Sequence, residues 1–118
     1  MSVSIQDLVM GYYRAIDSGV LDDVIGRFAE DACYERGGYP PILGAAGLRE
    51  FYAEVRIIEE GEHLIDQVLV SGDNAAVTGT FSGRSRDGAV LQIGFADFFV
   101  FCRGLIQGRK TYFLIKGV

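Results

Sequence analysis

The sequence predicts an α+β domain in which three N-terminal helices pack against one face of a strongly curved antiparallel sheet. Three observations carry this. Apolar residues at helical spacing are confined to the N-terminal part of the chain. Strand-like runs fill the remainder. Short turn signals, with no intervening helices, separate those runs. The 118 residues fit a single domain spanning positions 1–118, and a 49% apolar composition supplies its core.

Ile5, Leu8, Val9, Tyr12 and Ile16 form one apolar stripe, with Ser4 placed to cap its start and Gly19 to end it. Leu21, Val24, Ile25 and Phe28 repeat the spacing and predict a second, short helix. Cys33 to Arg36 reads as a short strand, closed by a loop containing Gly37, Gly38, Pro40 and Pro41. A third helix carries Leu48, Phe51, Tyr52 and Val55 on one face, with Gly61 near its end. Four strands follow, at His63 to Val70, Ala75 to Ser85, Ala89 to Phe101 and Leu105 to Ile115. The turn signals Gly72-Asp73-Asn74, Asp87-Gly88 and Arg103-Gly104 join them into an antiparallel meander.

Composition removes several function classes. A net charge of −5 argues against a nucleic-acid surface, and no run of apolar residues is long enough to span a membrane. The segment MSVSIQDLVMGYY lacks a basic region followed by an apolar run, so no secretory signal is expected. With one histidine and no Cys pair at ligand spacing, no metal centre is expected, and Cys33 and Cys102 read as reduced core thiols of a cytoplasmic protein, with a disulfide as the alternative. There is no GxSxG elbow and no GxxxxGK[ST] loop, so any catalysis is expected to be proton transfer without a cofactor.

Asp97 is the outstanding candidate. It is the only charge between Gly88 and Cys102, and its strand parity places it with Phe95, Phe99 and Phe101, facing the expected pocket. A carboxylate in apolar surroundings either shifts toward its neutral form or finds a cation. It is therefore a working acid/base or half of a buried ion pair that fixes register. Tyr12 lies on the first helical stripe, where periodicity favours an ordinary core tyrosine and its phenol offers a donor. Arg36 ends the first strand and is equally readable as an anion-binding or a surface residue. Glu35 has the opposite parity, so only one of the two faces inward. Phe51, Phe95 and Phe99 are the expected apolar lining for a hydrophobic small-molecule substrate. Lys110 and Tyr112 share a parity on the last strand. Both face the pocket, where with Glu35 they are expected to bind substrate and Lys110 can pair with Asp97, or neither does and Lys110 is a solvated lysine on an edge strand. His63, in an acidic stretch, reads as a surface residue, with a role as acid or base as the alternative, and Arg84, Arg86 and Asp87 as solvated. The long strand is apolar on both faces, and a homodimer is the economical cover for the second.

The segments LVMGYYRAIDSGVLDDVIGRFAEDACYE (Leu8 to Glu35), GAAGLREFYAE (Gly44 to Glu54) and FADFFVF (Phe95 to Phe101) resemble ketosteroid isomerase and its relatives, the nuclear transport factor 2-like or SnoaL-like superfamily. The resemblance covers nearly the whole chain. It implies a cone of bent sheet and three helices, usually dimeric, with the pocket inside. It places Tyr12 on the isomerase's oxyanion-hole tyrosine, Asp97 on its protonated aspartic acid, and Arg36 where its general-base aspartate stands. An arginine does not take a proton from carbon at neutral pH. The expectation therefore becomes a cyclase or isomerase that uses Asp97 as acid/base and has Tyr12 and Arg36 polarising a carbonyl. The alternatives are a non-catalytic binding or assembly module, and an epoxide hydrolase-like or dehydratase activity.

Overall fold

The computed structural model describes residues 3–55 and 58–114, and the backbone alone at 55, 58 and 59. The predicted contribution of the Val55 side chain and the expected end of the last strand at Ile115 lie outside the described residues. Helix α1 (Ile5–Ser18) begins where Ser4 Oγ accepts from the Asp7 N–H at 3.1 Å, and ends at Gly19, whose φ of 76° is open to glycine at no steric cost. Helix α2 (Leu21–Ile25) stops at Gly26. Phe28, expected on this helix, instead opens strand β1 (Phe28–Arg36), where its backbone gains a ladder partner in Ile106. The Gly-Pro loop leads to a two-residue strand β2 (Ile42–Leu43). Helix α3 (Gly44–Glu50) then widens into a single π turn at Phe51–Val55, which buries both Phe51 and Tyr52.

The meander follows as β3 (Ile58–Ser71), β4 (Asn74–Ser85), β5 (Val90–Cys102) and β6 (Leu105–Leu114). Strand β3 starts earlier than its apolar pattern indicates, and Gly61 belongs to it, not to a helix end. A Cβ at Gly61 would lie 2.1 Å from the Phe81 ring, so the close approach of that ring requires glycine. Strand order is β2-β1-β6-β5-β4-β3 in one curled, unclosed sheet. All neighbours are antiparallel except β1 and β6. These run parallel, with β1 on the edge that the meander leaves open beside its last strand.

The core lies between the helices and the inner face of the sheet, around Val9, Tyr12, Phe28, Leu48, Phe99 and Ile106. The outer face of β5 and β6 keeps Phe98, Val100 and Tyr112 about half exposed. Cys102 shares the outward parity of Phe98 and Val100 and is exposed, while Cys33 is half-buried. Both are free thiols, and the expectation of two core cysteines is corrected accordingly. Among the described residues, no helix is long and apolar enough to cross a membrane.

Candidate functional site

Asp97 points inward from β5, as its parity predicts, and is fully buried. Its surroundings are decided by one bulge. The Arg103-Gly104 turn pairs Cys102 with Leu105 and Phe101 with Ile106, which by itself would bring Lys110 opposite Asp97. Between Val100 and Phe101 the register shifts, Gln107 is left over, and Gly108 pairs with Val100. From there on Arg109 opposes Phe99 and Thr111 opposes Asp97. A one-residue shift exchanges the faces of a strand. It therefore places Arg109 and Thr111 inside, and Lys110 and Tyr112 outside.

Three donors converge on Asp97. Tyr13 Oη donates to Oδ2 at 2.5 Å, Arg109 Nη2 donates to the same oxygen at 2.8 Å, and the Thr111 hydroxyl donates to Oδ1. Arg109 Nη1 also donates to Tyr12 Oη at 2.7 Å and Tyr52 Oη at 3.1 Å, and these two phenols share a 2.7 Å hydrogen bond. The guanidinium carbon lies 4.7 Å from the Tyr12 ring centroid and 4.6 Å from that of Tyr34, so aromatic faces complete its shell. Only its Nε, buried, lacks a hydrogen-bond partner. Burial alone would lower the pKa of this guanidinium. The Asp97 carboxylate, together with the Tyr12, Tyr34 and Tyr52 phenols, more than offsets that, and the pKa lies above its ordinary value. Burial pushes the Tyr12 phenol well above the usual range against the opposing charge of Arg109. It does the same to Tyr13, with the Asp97 charge adding to the effect.

Arg36 does not reach Asp97. Its Nη1 donates to Tyr34 Oη at 3.1 Å, and Tyr34 Oη is 2.8 Å from Thr111 Oγ1, so a chain of hydrogen bonds runs from Arg36 to the carboxylate. The Arg36 guanidinium lies 4.8 Å from the Phe113 centroid and 5.4 Å from that of Phe51. No carboxylate pairs with it among the described residues. It borders an internal cavity of about 20 Å³ together with Tyr12, Tyr52, His63, Phe95 and Arg109. Arg36, Thr111 and Phe113 also line an open hollow of about 590 Å³ on the outside, and so form the wall between the two spaces.

Of the expected substrate-binding residues, Phe95 lines the internal cavity, and Phe51 and Phe99 pack behind its walls against Arg36 and Arg109. Glu35, Lys110 and Tyr112 do not face Asp97. They rim the outer hollow, with Lys110 Nζ 4.0 Å from Glu35 Oε2 in a solvent-exposed pair. The expectation that Lys110 and Tyr112 enter the pocket is corrected by the bulge, and Glu35 by the inward turn of Arg36 on the same strand.

His63, expected at the surface, is inside. Asp17, in the last turn of α1, accepts the His63 backbone N–H at 2.9 Å through Oδ2, and its Oδ1 lies 2.5 Å from Nδ1. Only 9% of the imidazole side chain is exposed. Its ring packs 5.2 Å from Tyr13, 4.8 Å from Phe81 and 5.4 Å from Phe95. Asp17 follows Tyr13 by four residues, so both project from the same face of α1. That spacing was the available sequence signal for Tyr13 and Asp17. Arg109 and Thr111 had no such signal without knowledge of the bulge.

Cone and site together define a protein whose polar groups are drawn into the interior of a bent sheet and held there by tyrosines. The model of the SnoaL-like domain matches residues 9–108, and the chain belongs to that family. A nuclear transport factor 2-like protein of unknown function from Burkholderia pseudomallei superposes with a TM-score of 0.85 at 19% identity, covering 95% of this chain and 92% of that one. A protein from Shewanella denitrificans, provisionally described as a SnoaL-like polyketide cyclase, gives 0.82 at 12% identity over 92% and 89%. One from Novosphingobium aromaticivorans, provisionally described as an aromatic ring hydroxylase, gives 0.77 at 27% identity over 95% and 87%. The fold and family that the resemblance implied are the ones found.

Proposed function

We propose that the chain is a cytoplasmic, cofactor-independent enzyme of cyclase or isomerase type that moves a proton on a small carbonyl compound, with Arg36 holding the oxyanion that develops. The observation that supports this is the state of Arg36. It is a cation at the cavity wall, stacked between two aromatic rings, with a phenol as its hydrogen-bond partner and no carboxylate among the described residues to neutralise it. Arg109, by contrast, is neutralised by Asp97. A guanidinium in a site poor in water stabilises an enolate strongly and requires no reorganisation as the charge forms. The internal cavity has room for about one water. Substrate therefore enters past the Arg36–Phe113 wall from the end of the outer hollow lined by Gly37, Tyr39 and Pro41. Asp97 does not touch the cavity and its oxygens are taken by three donors, so it supports the site from behind.

The test is binding of 4-nitrophenolate, a planar oxyanion that mimics an enolate. Arg36→Leu should weaken its binding at least about tenfold by titration calorimetry, the scale of one charge-assisted hydrogen bond, and leave a neutral nitrobenzene ligand unaffected. Equal affinity in the two proteins would reject the role of Arg36.

The outer face of β5 and β6 is assigned to a second copy of the chain in the same proposal. Phe98, Val100 and Tyr112 form an exposed apolar strip flanked by Glu35 and Lys110. A patch bearing both charge signs can complement itself under a two-fold axis. Phe98→Glu should convert a dimer into a folded monomer in sedimentation velocity. A wild-type protein that sediments as a monomer at micromolar concentration overturns this assignment.

A further inference from the structure

The position of the proton-moving group follows from a different pair of residues. We propose that His63, oriented by Asp17, is the acid/base of the site. This deepens the reading of Arg36 as the oxyanion holder and rests on it.

Asp17 grips His63 at two points, its backbone N–H and its Nδ1. An ionised carboxylate only accepts hydrogen bonds, so Nδ1 carries the hydrogen and the lone pair of the neutral ring resides on Nε2. Among the described residues, Nε2 has no hydrogen-bond partner. Tyr13, Phe81 and Phe95 fix the plane of the ring. The imidazole borders the same internal cavity as Arg36. An imidazole of set tautomer and a cation without a carboxylate partner among the described residues thus border one small enclosed space. A pair that merely tied α1 to β3 would not need its imidazole at a cavity. The other titratable groups around His63 are Tyr13 against its ring and Tyr12, Tyr52 and Arg109 on the cavity wall. Tyr12 and Tyr13 are held protonated, and Arg109 is committed to Asp97. None of them competes for the role.

The step balances within substrate and protein. Nε2 takes a proton from the carbon next to the carbonyl, the C–H electron pair moves into a C–C double bond, and the carbonyl oxygen becomes an enolate held by Arg36. The imidazolium then returns the proton to a different carbon of the conjugated enolate. The substrate class is an enolisable ketone, β,γ-unsaturated where a double bond is to be moved.

The experiment follows exchange of the α-protons of 3-cyclohexenone in deuterium oxide by NMR. Wild-type protein should exchange them well above buffer, and His63→Gln should slow this at least about a hundredfold, the usual range for losing a general base. Exchange by folded His63→Gln at the wild-type rate, or no wild-type exchange above buffer, overturns the proposal. Should His63→Gln fail to fold, 15N NMR of the wild-type imidazole decides. The Nδ1–H tautomer with a bare Nε2 is expected, and an Nε2–H tautomer overturns the assignment. Asp17→Asn presents an amide that can donate to Nδ1 and should mix the two tautomers while slowing exchange. A merely structural Asp17 would leave the tautomer unchanged. Failure of the Arg36 reading appears separately, in 4-nitrophenolate affinity, so the two outcomes are not confused.

Discussion

Asp97→Asn is expected to destabilise the fold by about 3–5 kcal/mol, because it leaves the Arg109 guanidinium buried without its counter-charge. Arg109 is 5% exposed and Asp97 is not exposed at all, so water cannot take over either role. The asparagine amide would also point a donor group at donors, since Tyr13, Thr111 and Arg109 all present hydrogens to this position. Arg109→Met alone should cost a similar amount by stranding the carboxylate. The double variant should cost less than the sum of the two by about 2–3 kcal/mol, because a neutral amide can again satisfy Tyr13 and Thr111 once the cation is gone. Urea unfolding of the four proteins measures this coupling. Strict additivity would mean that the pair contributes nothing as a pair, and Asp97 would return to contention as a free acid/base.

This pair also shows what could be read in the sequence. The inward face of β5 followed from alternation alone, and Asp97, Phe95, Phe99 and Phe101 are where parity places them. The cap at Ser4, the stop at Gly19 and the turn at Asp87-Gly88 were equally legible, because each depends on a few adjacent residues. The partner of Asp97 was not. It depends on the single extra residue, Gln107, that reverses the faces of β6, and a bulge of this kind leaves no pattern in an otherwise strand-like run. The parallel pairing of β1 with β6 was hidden for a related reason: residues 37–104 separate the two strands, and nothing in either announces the other. His63 was misplaced because its acidic neighbours suggested solvent. In a strand those neighbours alternate, and Glu60 is exposed on β3 while the imidazole turns inward to Asp17. Sequence reasoning thus found the elements and one wall of the site. The groups that complete it come from contacts set by register.

The second large effect is expected at high pH. Tyr12 and Tyr13 have phenols that burial holds above the ordinary value of 10.0, whereas in the unfolded chain they return to it. Above about pH 10 the unfolded state therefore releases two protons that the folded state keeps. With more protons bound when folded, stability falls as pH rises, by roughly 1.4 kcal/mol per proton per pH unit, or roughly 2.7 kcal/mol per unit for the pair. This stabilisation is fully present below pH 10 and disappears as pH climbs toward the folded-state values. A domain at the lower end of the ordinary range of about 5–15 kcal/mol has lost its stability by roughly pH 12. Unfolding should then be cooperative, with phenolate absorbance from the buried tyrosines appearing in the same transition as the loss of far-ultraviolet circular dichroism. Tyr13→Phe removes one of the two protons and should roughly halve the slope of stability against pH. Titration of all six tyrosines from pH 10 with the fold intact would contradict it. At neutral pH the same physics keeps the Tyr12 and Tyr13 phenols protonated. The base of the cone then offers hydrogens and positive charge, and the lone pair for proton abstraction comes from another side chain.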